Sequence, residues 1–241
     1  MNREALKRIL RGIRNRLLWV SAAFGLGASL TWYFRVEIFD LLLAPAGGQL
    51  SVTGRPVFFG PTEMLGVAVG VSVKGGLVTA FPVLLYQVYG LLRNLLSPKI
   101  KLFLFWFIPL GFLCYLAGVA FCYFVLLPTG MRYLLQFDTD IATPLINITA
   151  YMKMTTTMLF WMGVVFELPP AMLLLSKLGV VSYRKFSRIH GYVYPAAFAL
   201  GAIITPSFDP VNSTLVAVPL IALYWVGVFL AWLARPKGPR A

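Results

Sequence analysis

The sequence predicts an all-α integral membrane protein with six transmembrane helices and both termini in the cytoplasm. Of its 241 residues, 59% are hydrophobic and 12% are charged, whereas a soluble domain is about half apolar and about one quarter charged. The apolar residues form six runs, and the basic residues collect in alternate connections between them. A single membrane domain over residues 1–241 accounts for these observations.

Each apolar run is a candidate transmembrane helix, because about 20 mostly apolar residues are needed to cross the hydrocarbon core. Helices are the expected form, since lipid offers no water to unpaired backbone groups. The predicted spans cover residues 17–34, 64–89, 102–127, 152–175, 192–205 and 213–234. The fifth run is short for a full crossing. Residues 1–16 are basic and are predicted to form an amphipathic cytoplasmic helix that leads into the first span.

The orientation follows from Lys and Arg in the short connections, which favour the cytoplasmic side. Sixteen basic residues fall in the two tails and in the connections after the second and fourth runs, against three in the loops of the opposite side. This asymmetry predicts an even number of spans. Topology therefore explains the net charge of +13, and we expect the basic tail to contact anionic lipid rather than nucleic acid.

The outer loops are predicted to be structured. Residues 35–43 are amphipathic and precede Pro45, which indicates a short interfacial helix. Pro61, Thr62 and Glu63 come directly before the second span. Thr62 can cap that helix, and Glu63 suits its positive N-terminal end. Residues 128–144 are expected to form a long outer loop.

Glu167 is the only acidic residue within a predicted span. A carboxylate in hydrocarbon costs several kcal/mol, so such a residue normally faces protein or a hydrated cavity. Pro169 and Pro170 follow it and remove backbone donors, which predicts a kink beside the polar group. We favour a functional role for Glu167. A protonated glutamate that only bonds a neighbouring helix is the alternative.

The chain lacks the residue sets of a catalyst. Cys114 and Cys122 are eight residues apart on one predicted helix, roughly 12 Å, which is too far for a disulfide. His190 is the only histidine, so a histidine-based metal site has no second ligand of that kind. No nucleophile triad, P-loop or nucleotide fingerprint is present. The sequence therefore predicts a protein that is not an enzyme and has no cofactor or metal.

Short motifs occur at five places along the chain, in an order that covers nearly all of it. They are Leu10, Arg14, Arg16 and Leu17; Pro61-Thr62-Glu63; Pro82-Val83-Leu84-Leu85-Tyr86-Gln87; Phe166-Glu167-Leu168-Pro169; and Thr205-Pro206 with Asp209 and Pro219. Together with the six spans, they resemble the TatC family, the multispanning receptor subunit of the twin-arginine protein translocase.

This resemblance implies a glove-shaped bundle with two short C-terminal spans. It implies a protein that binds twin-arginine signal peptides on its cytoplasmic face and helps folded proteins cross the membrane, driven by the proton-motive force. The expected partners are small single-span Tat subunits of the TatA and TatB type and further copies of the chain. The expected location is a bacterial plasma membrane or the membrane of an organelle of bacterial descent.

The resemblance also suggests site residues. For signal binding they are Glu4, Arg14, Arg16 and Leu91. Glu167 is expected to contact a partner helix or the inserted signal. In the outer loops the candidates are Pro45, Pro61, Thr62, Glu63 and Asp209.

The cytoplasmic face departs from the family pattern. The family has glutamates where this chain has Gly12 and Ile100, and those glutamates hold the arginine pair. Carboxylates suit this task because Arg–carboxylate pairs are strong charge-assisted contacts, and Glu4 is the only acid predicted on this face. Three hypotheses remain: a signal receptor with a diverged site, a TatC-like structural subunit without signal binding, and a small-molecule or ion transporter that uses Glu167.

Overall fold

The structure, a computed structural model, describes residues 3–46, 56–92, 98–136, 146–205 and 210–234. It divides into two compact units. Unit 1 comprises Met1–Leu41 and Phe58–Phe112, and unit 2 comprises Leu42–Val57 and Leu113–Ala241. Over the described ranges the regular structure is helical, apart from one isolated bridge between Val57 and Asn147.

Unit 1 is built on two long helices, α1 (Arg3–Tyr33) and α3 (Glu63–Leu92), with the short helix α2 (Arg35–Leu43) between them in sequence. α4 (Pro98–Phe121) begins in this unit. α1 continues from the basic tail into the first apolar run without a break, which confirms the predicted tail helix. The predicted short helix over residues 35–43 is also confirmed, and the chain bends by 78° where it begins.

α1 and α3 pack through two equivalent glycine–threonine pairs. Thr31 Oγ1 on α1 donates to the carbonyl of Gly27 at 2.8 Å, and Thr79 Oγ1 on α3 donates to that of Gly75 at 3.1 Å. A Cβ on Gly27 would clash with Thr79, and a Cβ on Gly75 would clash with Thr31. Each threonine thus packs on the glycine of the other helix and satisfies its own hydroxyl, as small residues allow in membrane helix pairs.

Unit 2 contains the remaining helices. In chain order they are the 3-10 turn Ala44–Ala46, the end of α4, a π-helical segment Cys122–Leu126, α5 (Leu127–Gln136), α6 (Ile148–Val165), α7 (Leu168–Lys177), α8 (Tyr183–Arg188), α9 (His190–Ile204) and α10 (Pro210–Leu233). α10 packs against α7, α8 and α9. Two bonds hold this packing: Ser176 Oγ donates to the Ala231 carbonyl at 2.9 Å, and the Tyr224 hydroxyl donates to the Phe186 carbonyl.

The helix of the third run continues to Gln136, so the prediction of a loop from residue 128 is wrong for its first nine residues. Pro128 lies within this continuous helix, and a π-helical turn is an irregularity that can accommodate a proline. The π-helical turn comes directly before it, and Thr129 Oγ1 donates to the Val125 carbonyl at 2.6 Å. Residues 137–145 lie outside the described part of the chain.

By length and composition, four described segments could cross a membrane: Glu63–Val88, Phe107–Leu134, Ile148–Lys177 and Ser213–Leu233. The bent pair Arg14–Tyr33 and Arg35–Ala46 makes a fifth candidate, if it is one broken span. The helix His190–Ile204 is apolar but shorter. Each of the six predicted runs is therefore helical, and the short fifth run is short in the structure as well.

Candidate functional site

The most chemically unusual position in unit 2 is a break in the fourth apolar run. α6 ends at Val165, α7 begins at Leu168, and Glu167 stands at the N-cap of α7 with two prolines in the following turn. Its N–H donates to the Val164 carbonyl at 3.1 Å, a bond across three residues that tightens the helix locally. The two prolines cannot donate, so the regular hydrogen bonding of the helix is interrupted beside Glu167. Glu167 keeps right-handed helical dihedrals, and α6 and α7 together form one candidate span, Ile148–Lys177.

The Glu167 side chain is half-buried, and its Oε1 is fully buried with no hydrogen-bond partner among the residues that the structure describes. Buried carboxylate oxygens are normally paired, because desolvation without a partner costs several kcal/mol. The thiol of Cys114 on α4 lies within electrostatic range. This carboxylate therefore has unused capacity to accept a hydrogen bond.

α4 packs tightly against the break. Gly118 is buried, and a Cβ on it would lie 2.5 Å from the Met162 carbonyl oxygen and 2.8 Å from Phe166 Cβ. Phe121, one turn along α4, places its ring centroid 5.6 Å from that of Phe166. The residue before Glu167 is thus held between a glycine and an aromatic ring, which fixes the backbone that carries the carboxylate.

In unit 1, Arg16 links α1 to the end of α3, the two helices that carry the predicted signal-binding residues. Its guanidinium donates to the carbonyl of Gln87 at 2.6 Å and to that of Gly90 at 2.7 Å, both in the last turns of α3. These contacts lie at the negative end of the α3 dipole, where a cation is favoured. Arg16 is half-buried, whereas Arg14 is exposed on the same helix.

The other predicted signal-binding residues are placed only by their helices. Leu91 lies in the last turn of α3, next to a carbonyl that Arg16 binds. Glu4 lies in the first turn of α1, roughly 18 Å along the helix axis from Arg16. The structure therefore brings Arg16 and the end of α3 together and leaves Glu4 well beyond that contact.

The outer-loop candidates have local structural roles. Glu63 begins α3, and its Oε2 accepts a hydrogen bond from the Phe59 N–H at 3.0 Å. Thr62 precedes α3, and its carbonyl accepts the Gly66 N–H at 3.0 Å, while Pro61 lies in the turn before it. Pro45 lies in the 3-10 turn, which packs against α5. Asp209 is outside the described residues.

Asn147 and Tyr151 organise the start of α6, and the sequence prediction missed both. The Asn147 side chain caps α6 by accepting from Thr149 N at 2.7 Å and Ala150 N at 3.1 Å. The buried Tyr151 hydroxyl donates to the Leu42 carbonyl at 2.8 Å. An Asn before an apolar run is an N-cap signal that could have predicted the first contact, whereas the tyrosine contact spans more than one hundred residues and leaves no local pattern.

Among the described residues, no group of three or more His, Cys, Asp or Glu side chains could hold a metal ion. The site residues are one membrane-embedded carboxylate and one arginine that binds a helix end.

Comparison with known proteins identifies the family of the chain. The family described as "Sec-independent protein translocase protein (TatC)" matches residues 8–219. The chain belongs to the TatC family. This confirms the resemblance drawn from the short motifs, and membership places the chain among the membrane components of a protein translocase.

Two relatives and one solved structure show the extent of the likeness. The "Sec-independent protein translocase protein TatC" of Aquifex aeolicus is 31% identical over 233 residues, covering 95% of each chain. That of Carboxydothermus hydrogenoformans is 28% identical over 228 residues, covering 95% of this chain and 93% of the relative. The solved "Crystal Structure of Twin Arginine Translocase Receptor- TatC" has a TM-score of 0.82 at 30% identity, covering 93% of this chain and 98% of the other. The TatC likeness thus extends over nearly the full length of both sequence and fold.

Proposed function

We propose that this TatC chain binds twin-arginine signal peptides at the cytoplasmic end of α1 and α3 and helps folded proteins cross the membrane, driven by the proton-motive force. The observation that carries the proposal is the TatC fold together with Glu167, a membrane-embedded carboxylate whose buried Oε1 has no partner in the described chain. The solved relative is described as a translocase receptor.

The proposal includes six spans with both termini in the cytoplasm. Arg16 and the exposed Arg184, Lys185 and Arg188 belong to segments that the distribution of basic residues assigns to the cytoplasm. The helix His190–Ile204 has 15 residues, so it spans roughly 22 Å and requires a thinned bilayer or a tilt of its neighbours. The membrane is a bacterial plasma membrane or one of bacterial descent.

Glu167 is the proposed contact for a partner. A helix that carries a polar side chain would give Oε1 the hydrogen bond it lacks, and low local dielectric would strengthen that bond. Small single-span subunits of the TatA and TatB type have the required form, and an inserted signal peptide has it as well. Association with further copies of this chain completes the proposed complex.

Photocrosslinking tests signal binding directly. A benzophenone amino acid replaces Leu91 in the full chain, in membranes, and a twin-arginine signal peptide is compared with its twin-lysine form. We expect a crosslink that depends on the arginines. The same probe at the exposed Val180 is the matched control and should give no arginine-dependent product. Equal crosslinking of the two peptides at Leu91 would refute the receptor proposal.

A second candidate is a TatC-like structural subunit that no longer binds signals. It is favoured by Gly12 and Ile100, which stand where the resemblance places glutamates. If the wild type gives no arginine-dependent crosslink, the double variant Gly12→Glu and Ile100→Glu should create one, because carboxylates supply the missing counter-charges. Absence of binding in the double variant would mean that more than two acids separate this chain from a receptor.

A further inference from the structure

We propose that Arg16 is a positioning residue that fixes the end of α3 against α1, so that signal peptides meet a preformed surface without touching Arg16 itself. This inference rests on the proposed signal-binding function. It differs from the sequence-based expectation, in which Arg16 contacts the signal.

The first argument is that the Arg16 guanidinium already has partners. Two of its nitrogens, Nη1 and Nη2, donate to the carbonyls of Gln87 and Gly90 at 2.6 and 2.7 Å. A planar guanidinium suits such a two-point contact, since its donors form a rigid fork. A cation held in this way has less capacity to bind a ligand, and its charge would repel the arginine pair of a signal peptide.

The second argument concerns what α3 would lose without Arg16. Gly90 is among the last four residues of α3, whose carbonyls have no partner within the helix. Gly90 lies just beyond the candidate span Glu63–Val88, and Arg16 gives its carbonyl a fixed partner in place of exchanging water. Arg16 therefore keeps the last turn of α3 helical and bound to α1. Leu91, the proposed neighbour of the signal, is in that turn.

The third argument is the fit at Gly90. A Cβ added to Gly90 would lie 3.1 Å from Arg16 Nη1 and 3.5 Å from Cζ. A methyl group there would crowd the guanidinium, which would have to shift by a few tenths of an ångström at the carbonyl of the same residue. Gly90→Ala therefore perturbs the contact while Arg16 and its charge remain.

The contact of Arg16 with the Gln87 and Gly90 carbonyls is called the Arg16 clamp. Hydrogen exchange measures its effect on the end of α3 independently of any signal. In the full chain in lipid nanodiscs, we expect Arg16→Gln to raise amide exchange in residues 87–92 about tenfold, a change of about 1.4 kcal/mol in local opening. Gly90→Ala should act in the same direction, and Arg16→Lys should be intermediate because its ammonium cannot reproduce the fork. Arg188→Gln removes a charge from an exposed position in unit 2 and should leave these amides unchanged.

Signal titration then separates positioning from contact and from misfolding. We expect Arg16→Gln and Gly90→Ala to raise the apparent Kd for a twin-arginine peptide about tenfold, with the crosslinking yield at saturation unchanged. A merely destabilised protein would lose yield at saturation instead, which would contradict the inference. Loss of binding by Arg16→Gln with normal exchange in residues 87–92 would show direct contact and would also overturn it.

The experiments can refute the Arg16 clamp and the receptor function separately. If the wild type shows no arginine-dependent binding, the proposed function and the positioning role toward signals are both refuted. Exchange would still show whether Arg16 holds the end of α3. If exchange rises in Arg16→Gln while the signal Kd stays constant, Arg16 is a helix cap with no part in recognition, and the inference is overturned with the receptor intact.

Discussion

Arg16 in unit 1 and Glu167 in unit 2 are both ionisable side chains on largely apolar helices, and their hydrogen bonding differs. Arg16 donates to two carbonyl oxygens at 2.6 and 2.7 Å. Glu167 has a buried carboxylate oxygen without a hydrogen-bond partner in the described chain. Both are half-buried, so burial alone does not distinguish them.

Arg16 thus holds two helices together, whereas Glu167 keeps a buried oxygen that could accept a hydrogen bond from a partner. Removing a satisfied group leaves its former partners unpaired and destabilises the fold, whereas removing an unsatisfied group relieves a desolvation cost. Substitution should therefore lower stability at Arg16 and not at Glu167, whereas function should fall at both positions. Substitutions at four positions test this contrast and the packing around it, from the largest expected effect to the smallest.

Gly118→Val should have the largest effect on stability, because the new side chain would disrupt the packing of α4 against the residues next to Glu167. The added Cβ would lie 2.5 Å from a backbone oxygen, that of Met162, and backbone can move little within a packed bundle. We expect a loss of about 3 kcal/mol in the free energy of unfolding, measured by SDS titration in mixed micelles. Gly25→Val is the control, since a Cβ added to Gly25 would have no neighbouring atom within 4 Å. Equal stability of the two variants would show that the turn is not held by α4.

Gly27→Ala should destabilise unit 1 by about 2 kcal/mol, because the new methyl group clashes with Thr79. The obstacle here is a side chain, so the effect should be smaller and reversible by a second change. Thr79→Ala removes the hydroxyl and should recover at least half of the loss in the double variant. The unfolding free energies of the four proteins in this cycle give the coupling directly. Strict additivity would contradict the glycine–threonine packing.

Glu167→Gln should reduce translocation at least tenfold, about 1.4 kcal/mol in rate terms, without lowering stability. The amide keeps the shape but cannot offer a negative charge to a partner, and a neutral group is less costly to bury. Transport of a fluorescent twin-arginine substrate into inverted vesicles measures the first effect, and SDS unfolding measures the second. A clear fall in stability would mean that Glu167 is an internal structural bond, and the contrast with Arg16 would disappear.

Asn147→Ala should have the smallest effect, about 1 kcal/mol of stability, because it removes the cap from α6. The side chain accepts two backbone bonds at 2.7 and 3.1 Å. Asn147→Asp keeps an acceptor at the same place and should stay close to the wild type in SDS unfolding. Translocation should stay nearly constant in both variants, since the cap lies at the opposite end of α6 from Glu167. A large transport defect in Asn147→Ala alone would assign this loop a functional role.

The helices could be predicted closely because apolar length and proline position act locally. The run 213–234 became α10 with its end at Leu233, and the segment 35–43 became α2 with the predicted bounds. The prediction for the third run was wrong at its end because the helix continues through Pro128, directly after the π-helical turn Cys122–Leu126. A proline considered in isolation looks like a terminator, and only the geometry of the neighbouring turns decides whether the helix continues.

The candidate site could be predicted only in part. Glu167 was found from its charge, because an ionisable residue in an apolar run is conspicuous in any sequence. The hydrogen bonds of Arg16 were not predicted, because its partners are backbone carbonyls more than seventy residues away, and every residue offers a carbonyl. The motifs suggest that Arg16 contacts the signal, and the structure adds that it binds the end of α3.

The sequence by itself determined the class of this protein: an all-helical membrane chain of the TatC type, with one acid within the apolar runs and an asymmetric distribution of basic residues. These properties follow from the cost of burying charges and unpaired backbone groups in lipid, and that cost depends only on the local sequence of each segment. Only the tertiary structure decided that Arg16 has hydrogen-bond partners and that a buried oxygen of Glu167 has none in the described chain. Hydrogen bonds between distant segments depend on distances of a few tenths of an ångström, and these are set when α1 meets α3 and α4 meets the turn at Glu167.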